Sequence, residues 1–494
     1  MIYYRQIFYT QHKELAFPGR RIPEISLDLN LKSRRDKMGY WLKRTGAAAI
    51  FVFFLTQVLT MGMAEAAESK TAEGGAQVGD VNLFTGNLKF AYNLISLPQD
   101  NGKDMSIKLY YNSNIWEAAQ NSSETSEASW VGLGWNLQFD RITWPGDGSW
   151  YYVFPDGSSS KIKGKDLVEK EFWKILQGGS GGWSRYDKDG TAYGFNHVPY
   201  DNIEGDYYLT WVMDPYVYYG DLYRNTLRIN YITQGDKVYP DTLIDTAKRR
   251  IKFVLGSFEG KDVLDSIVIR DRQANVIRSF DFEYKTISCY GGNRLALSCI
   301  TEIGKDGSQR PPTQFAYYEG GASDKDSTGV LKTITYPTGG KKALSYERRY
   351  AAGYQDTVRE YRVERIETED GMGGDSTQMA FLYGASVIMP IDSSHNYIGY
   401  KDVAVNLPGS SGETRYHFAI ITKSDQDTLG SRADSVYFYN EEDDLVKRVV
   451  NNWEVKEYGV PYQIRLHSSQ KSLDGVTSSI ALLITTPMVS QTPS

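Results

Sequence analysis

Apolar and polar residues alternate in short runs along most of this chain. Met105, Ile107, Leu109 and Tyr111 occupy every second position, with Ser106, Lys108 and Tyr110 between them. Leu227, Ile229 and Tyr231 follow the same rule, as do Phe280, Phe282 and Tyr284. So do Val403, Val405 and Leu407, and then Tyr416, Phe418 and Ile420. A period of two puts one set of side chains on a core and the other in water. It predicts antiparallel strands that are wet on one face. No long stretch keeps a helical period between capping residues. Turn signals separate the runs: Asp147-Gly148, Asp156-Gly157, Asp189-Gly190, Asp306-Gly307, Asp370-Gly371 and Asp474-Gly475, with Gly339-Gly340 and Gly373-Gly374. Such pairs accept the positive φ of tight hairpins. The expected fold class is mainly β, with very little helix after the leader. Its antiparallel sheets and hairpins would form a sandwich, a propeller-like array or a curling shell.

A looser repeat overlies the alternation. Closing aromatic strands recur at Phe280-Asp281-Phe282-Glu283-Tyr284, Phe315-Ala316-Tyr317-Tyr318, Leu344-Ser345-Tyr346-Glu347 and Phe381-Leu382-Tyr383-Gly384. Their spacing, roughly 30 to 37 residues, suggests units that pair with their neighbours. Composition agrees. The 37 Tyr and 46 Gly spread over 494 residues favour half-buried sheet faces joined by tight turns.

The first 67 residues read differently. Met38 to Arg44 carries two positive charges, an apolar run follows from Thr45 to Met63, and Ala64-Glu65-Ala66-Ala67 closes it. That is the pattern of a secretory signal peptide over 38–67; the alternative is a membrane anchor. Residues 1–37 are basic and precede a complete signal, so translation is expected to start at Met38 or the leader is unusually long. Removing residues 1–67 leaves 45 basic and 56 acidic residues, about −11, which argues against nucleic acid as a partner. No stable membrane span is expected after cleavage. The rest divides into a linker at 68–78, β regions at 79–200, 201–322 and 323–440, and a C-terminal strand or tail at 441–494.

Gly79-Asp80-Val81-Asn82-Leu83-Phe84-Thr85-Gly86-Asn87-Leu88 resembles the opening motif of Rhs and YD-repeat proteins. Leu109-Tyr110-Tyr111-Asn112-Ser113 is similar to a following strand of that family, with Tyr110 as a departure. Val131-Gly132-Leu133-Gly134-Trp135-Asn136-Leu137 resembles a strand shared with the SpvB-like part of Tc-toxin B components. A second block resembles the same group. It comprises Arg294-Leu295, Ile300 to Ile303, Pro311-Pro312-Thr313-Gln314-Phe315-Ala316-Tyr317, and Leu331 to Gly340 closed by Leu344-Ser345-Tyr346. Asp370 to Gly374 and Tyr397 to Val403 extend it. The likeness covers roughly residues 79–440. It implies a folded wall that encloses or presents a cargo. The long Tyr-Asp repeats, self-cleaving end and variable toxin of full members are not seen in this sequence, which reads as a truncated product, a split subunit or a stand-alone piece.

Catalytic motifs are missing. There is no phosphate-cradling Gly-x-x-x-x-Gly-Lys-Ser/Thr and no His-Glu-x-x-His. His12, His197, His395, His417 and His467 are scattered, and His417 reads as a solvated strand residue. Asp324-Lys325-Asp326-Ser327-Thr328-Gly329 resembles the start of a calcium loop, but its twelfth position is Thr335 rather than Glu. Asp425-Gln426-Asp427 is a weaker version, and Glu441-Glu442-Asp443-Asp444 reads as a solvated loop. Cys289 and Cys299 flank a turn at Gly291-Gly292-Asn293, leaving open a hairpin-closing disulfide or two buried thiols. The expectation is therefore no enzyme, no catalytic, cofactor or metal residues, and no cofactor. The function expected is a secreted or cell-wall-associated β-scaffold of YD-repeat or Tc-toxin type, partnered by other such segments. The alternative is a cell-surface or glycan-binding β module using Trp144, Trp150, Trp173 and Trp183.

Overall fold

A computed structural model describes residues 77–481, except 99–104, 116–127, 147, 164–165, 168–172, 179–180, 199–205, 215–224, 290–291, 321–327, 351–358, 391–395, 410–411, 425–426, 458–461 and 474–475. Within the described residues every regular element is a strand, and no helix is long and apolar enough to cross a membrane. The alternation places them. Met105–Asn112 buries Ile107, Leu109 and Tyr111 and exposes Ser106. Thr313–Tyr317 buries Thr313, Phe315 and Tyr317 and exposes the two residues between. Leu407 departs from its run because Asp402–Asn406 ends one residue before it, and it is exposed. The glycines of the described Asp-Gly turns, and the first glycine of each Gly-Gly pair, have the expected positive φ, for example +83° at Gly157 and +88° at Gly339.

Twenty-five strands hydrogen-bond into one antiparallel sheet. From Lys174–Gln177 to Val476–Ala481 almost every strand pairs with the next in sequence. One hairpin, Ser386–Pro390 with Asn396–Tyr400, stands apart, and Thr377–Tyr383 pairs past it with Asp402–Asn406. The sheet branches at Tyr207–Met213. One edge of that strand carries Ala192–Asn196; the other carries Arg141–Thr143 and then Thr226–Gln234. The result is one continuous meander. It has no separate propeller blades and does not close into a barrel.

The meander is interrupted in a regular way. At five of the sheet's register shifts the extra residue on one strand is Thr210, Asp265, Ser298, Glu364 or Asp434. Such a bulge breaks the ladder and frees backbone groups beside it. The residue before each is buried and apolar: Leu209, Leu264, Leu297, Val363 and Ala433. Its carbonyl accepts a hydrogen bond from an aromatic side chain 20 or 22 positions later. Tyr231, Tyr284, Tyr317 and Tyr383 hydroxyls donate to Leu209, Leu264, Leu297 and Val363 at 2.7–2.8 Å. Trp453 Nε1 donates to Ala433 at 3.0 Å. This explains the repeat of closing aromatics, three of which are these tyrosines. Position 326, twenty before Tyr346, lies outside the described residues.

The two cysteines are free thiols, not a disulfide. Their strands pair Cys289 with Gly292 and Cys299 with Glu283. The six steps from Glu283 to Cys289 span roughly 20 Å, far beyond the Cα separation of about 7 Å that a disulfide bridges. Burial pushes the Cys299 thiol up to about 11.

Two outcomes test this account. Tyr317→Phe removes a hydroxyl that donates to Leu297 O at 2.7 Å and accepts from Trp135 Nε1 at 2.9 Å. It leaves two buried polar groups unpaired and is expected to cost about 1–3 kcal/mol in urea unfolding; an unchanged midpoint would refute the latch. On the outer face, burial first, and then Asp265 and Glu283, hold the Asp281 carboxyl above its usual range. A raised folded pKa gives stability that is full below the unfolded value and lost as pH rises through the folded one. Asp281→Asn is therefore expected to raise stability at pH 7, with the gain vanishing below about pH 3. Unfolding midpoints across that range decide it, and a gain that persists in acid contradicts the assignment.

Candidate functional site

The described residues of 77–140 pair among themselves and cross the meander as a strap. Gln77–Val78 pairs with Val81–Asn82, and Lys89–Leu97, Met105–Asn112 and Trp135–Asn136 form a three-stranded sheet. The strap touches the meander at widely separated strands. Phe84 packs edge-on to Phe418, with ring centroids 5.6 Å apart. Trp135 packs on Phe315 at 4.8 Å, Trp130 on Tyr239 at 5.2 Å, and Phe139 on Phe253 at 6.1 Å. Each such pair adds about 0.5–1.5 kcal/mol beyond its burial.

The strap also binds the backbone that the bulges free. Leu209 N donates to Asp140 O at 3.1 Å, Leu264 N to Trp130 O at 2.9 Å, and Val363 N to Gly86 O at 2.9 Å. Leu331, beside a further register shift, donates its N–H to the Tyr111 hydroxyl at 2.7 Å. At the Leu297 bulge, Leu133 N donates to Leu295 O at 2.9 Å. Such close approach demands glycine at two points. Gly86 has φ +74°, and a Cβ there would lie 2.5 Å from Arg362 Cβ. Gly132 has φ +100°, and its Cβ would lie 2.7 Å from Leu297 N.

These contacts give the sequence motifs a physical purpose. Asn82 is buried, and its Oδ1 accepts Phe84 N at 3.0 Å and Thr85 N at 3.1 Å, which sets the turn before Gly86. Asp80 pairs with Lys342 at 2.7 Å. In the second block, Thr313 Oγ1 meets the Tyr92 hydroxyl at 2.7 Å, Phe315 meets Trp135, and Tyr317 accepts Trp135 Nε1. The two motif blocks, 182 and 221 positions apart at these bonds, are the halves of one contact.

Other candidate residues have local roles. Trp150 and Trp183 pack on each other at 5.2 Å, and Trp150 also packs on Tyr207. Trp173 is covered by the Arg185 guanidinium at 3.9 Å. Trp144 is 41% exposed, and its ring leans on Trp150 at 6.2 Å. The four rings therefore form no open platform for a sugar. His197 stacks on Tyr207 at 3.9 Å, and His417 Nδ1 lies 2.6 Å from Asp434 Oδ1. His467 lies in the strand Tyr462–Leu473. Glu441 to Asp444 form an exposed turn in which Asn440 Oδ1 accepts Glu442 N and Asp444 N. The signal peptide, linker residues 68–76, His12, His395, the calcium-like residues Asp324 to Ser327, and Asp425-Gln426 lie outside the described residues, whereas the linker's last two residues form the strand Gln77–Val78.

Sequence reasoning missed two buried arginines. Arg185 lies over Tyr193 at 3.5 Å, pairs with Asp187 at 3.3 Å and bonds the Tyr152 hydroxyl. Nearby, burial holds the Asp140 carboxyl above its usual range, with Arg185 opposing. Arg362 lies beneath Gly86, 4.4 Å from both Tyr383 and Tyr400, and pairs with Glu347 at 2.7 Å. No single motif announces such cages; only the aromatic density around Trp173 hinted at one.

No protein-family model and no curated protein match the chain. Among solved structures it is similar to TcdB2-TccC3-TEV, at 11% identity over 85% of this chain and 30% of that one, with a TM-score of 0.37. It is similar to the Photorhabdus luminescens Tc holotoxin pore at 10% identity, over 85% and 30%, with a TM-score of 0.35. The N-terminal domain of the effector SpvB from Salmonella typhimurium matches at 11% identity, over 79% and 99%, with a TM-score of 0.13. The motif order resembled these same two groups, Tc toxins and SpvB. The chain spans 30% of the Tc chains it matches, and likeness this loose assigns no role to any residue.

The strap contact makes a sharp comparison possible. Gly148 has φ +80° but open space around it. Gly148→Ala should cost about 1 kcal/mol, the backbone penalty alone. Gly86→Ala adds a clash with Arg362 and is expected to cost at least about 2–3 kcal/mol. Equal costs in parallel thermal and urea unfolding would show that the strap is not seated on Arg362.

Proposed function

We propose that this chain is a secreted, non-catalytic β-scaffold of a toxin-complex or YD-repeat assembly, which helps contain or deliver a toxin. The observation that carries the reading is the seating of the strap on the meander. Both blocks of the motif order meet there, with Trp135 bonded to Tyr317 and Tyr92 to Thr313. The chemistry of that contact is geometric: hydroxyls and N–H groups close gaps in a sheet. A wall needs such a contact, because it fixes many strands in one register without a reacting group. Export follows from the 38–67 segment, and the partners are other toxin-complex or YD-repeat chains.

Native isolation of the protein from culture medium tests this reading. The mature chain is expected to begin at Glu68 and to migrate with long YD-repeat or Tc-type polypeptides identified by mass spectrometry. Retention in the membrane with residues 38–67 attached would sink the export claim. Turnover of cell-wall glycans by the purified chain would sink the non-catalytic one.

A further inference from the structure

The fifth bulge differs from the others in what its extra residue does. Asp434 interrupts the pairing between Glu413–Ser424 and Asp427–Tyr439, where His417 faces Ser435 and Phe418 faces Ala433. Simple alternation would send Asp434 to the face opposite Ser435; the bulge turns it toward His417 instead. Its Oδ1 lies 2.6 Å from His417 Nδ1 and accepts the Ser435 hydroxyl at 3.1 Å. On the other side of the ring, His417 Nε2 lies 3.9 Å from Asp402 Oδ1. Phe418 points to the strap side, against Phe84, so its neighbour His417 lies on the outer face. There Leu382, Asp402, His417, Asp434, Tyr437 and Tyr439 help to line a groove of about 690 Å³. That volume is in the range of small-molecule sites.

The protonation pattern follows from donor and acceptor rules. A carboxylate can only accept, so the hydrogen between His417 and Asp434 sits on Nδ1. In the neutral ring Nε2 then carries a lone pair. In that neutral form it faces a second acceptor, Asp402 Oδ1, 3.9 Å away; a proton on Nε2 would instead pair the ring with Asp402. Among the described residues no lysine or arginine pairs with Asp402 or Asp434. Arg415, the cation in the same groove, is bound to Glu413 and Asp443 and lies 4.3 Å over Tyr439. Asp402 is exposed, so a ligand can reach it.

One atom placed about 2.8–2.9 Å from both acceptors would see them roughly 85–90° apart, about 20° inside the tetrahedral angle between two N–H bonds, which two slightly bent hydrogen bonds accommodate. It needs at least two hydrogens to satisfy both. A hydroxyl has one. An ammonium has three, and its charge suits Asp402 and Asp434. We propose that this groove binds a primary ammonium, with Asp402 and His417 Nε2 as the two acceptors and Asp434 as the positioning residue that fixes the ring.

Calorimetry and histidine-ring NMR on the full chain test this. The probes are Nα-acetyl-lysine amide, glycinamide and Nα,Nε-diacetyl-lysine amide. The first two separate a side-chain amine from an amino terminus, and binding of either supports the site. Binding is expected to shift the His417 ring signals and to fall about tenfold or more in Asp402→Asn, the loss of one charge-assisted bond. His417→Gln should weaken it similarly, with unfolding midpoints showing that both variants fold. Equal binding of the diacetyl probe, full binding by Asp402→Asn, or no response to any amine would each overturn the proposal. Failure here leaves the strap contact untouched, because the two lie on opposite faces of the sheet.

Discussion

A freed backbone N–H in a dry interior must find an acceptor, and the rest of this fold is arranged around that demand. Bulges create the problem at Leu209, Leu264 and Val363 in the middle of buried strands. An unmet group of this kind costs about 1–3 kcal/mol, a sizeable part of a domain's total stability. Two devices answer it. An aromatic side chain from later in the meander takes up the carbonyl, and the strap takes up the N–H. The strap is therefore held by fixed backbone groups at intervals, and it cannot slide by one residue without losing all of them.

This division explains what the sequence showed and what it hid. Period-two alternation was readable because Ile107, Leu109 and Tyr111, or Phe280, Phe282 and Tyr284, lie in stretches that hold no extra residue themselves; Leu94 and Ser298, the extra residues opposite them, are on the partner strands. The bulges were not readable, since an extra residue only shifts the phase. Leu297, Ser298 and Cys299 look like one ordinary run, yet Leu297 and Cys299 oppose adjacent residues, Tyr284 and Glu283. The closing tyrosines were visible as a repeat, but their purpose depends on carbonyls twenty positions away. In the same way the strap motif was visible as a motif. Its partners stand 182 and 221 positions later, and no local pattern carries that information. His417 was correctly placed on the outer face by alternation; its link to Asp434 was hidden because the bulge reverses that one side chain.

The buried arginines follow the same logic at higher stakes. Taking a charge out of water costs several kcal/mol unless it is paired and well bonded. Arg362 meets this with Glu347 on one side and the faces of Tyr383 and Tyr400 on the others. Tyr383 at the same time latches Val363, whose N–H holds Gly86. One cluster thus joins a bulge, a latch, a cation cage and the strap. A cation there adds little net stability compared with a hydrophobic replacement, but it penalises any packing that separates its partners.

The inner and outer faces consequently have different freedom to change. Leu209, Leu264, Leu297, Val363 and Ala433 are all buried, and each is bound through its backbone. The extra residues themselves, Thr210, Asp265, Ser298, Glu364 and Asp434, are all polar and none is buried. A bulge therefore fixes the inner face by its backbone and offers the outer face a side chain that the core does not constrain. At Asp265 that side chain faces another acid, Asp281, whose carboxyl it helps to hold above its usual range. At Asp434 it orients a histidine over a groove. A scaffold built this way can acquire recognition chemistry on its outer surface without disturbing the bonds that hold its wall together, because the side chains of Asp402, His417 and Asp434 take no part in the latches.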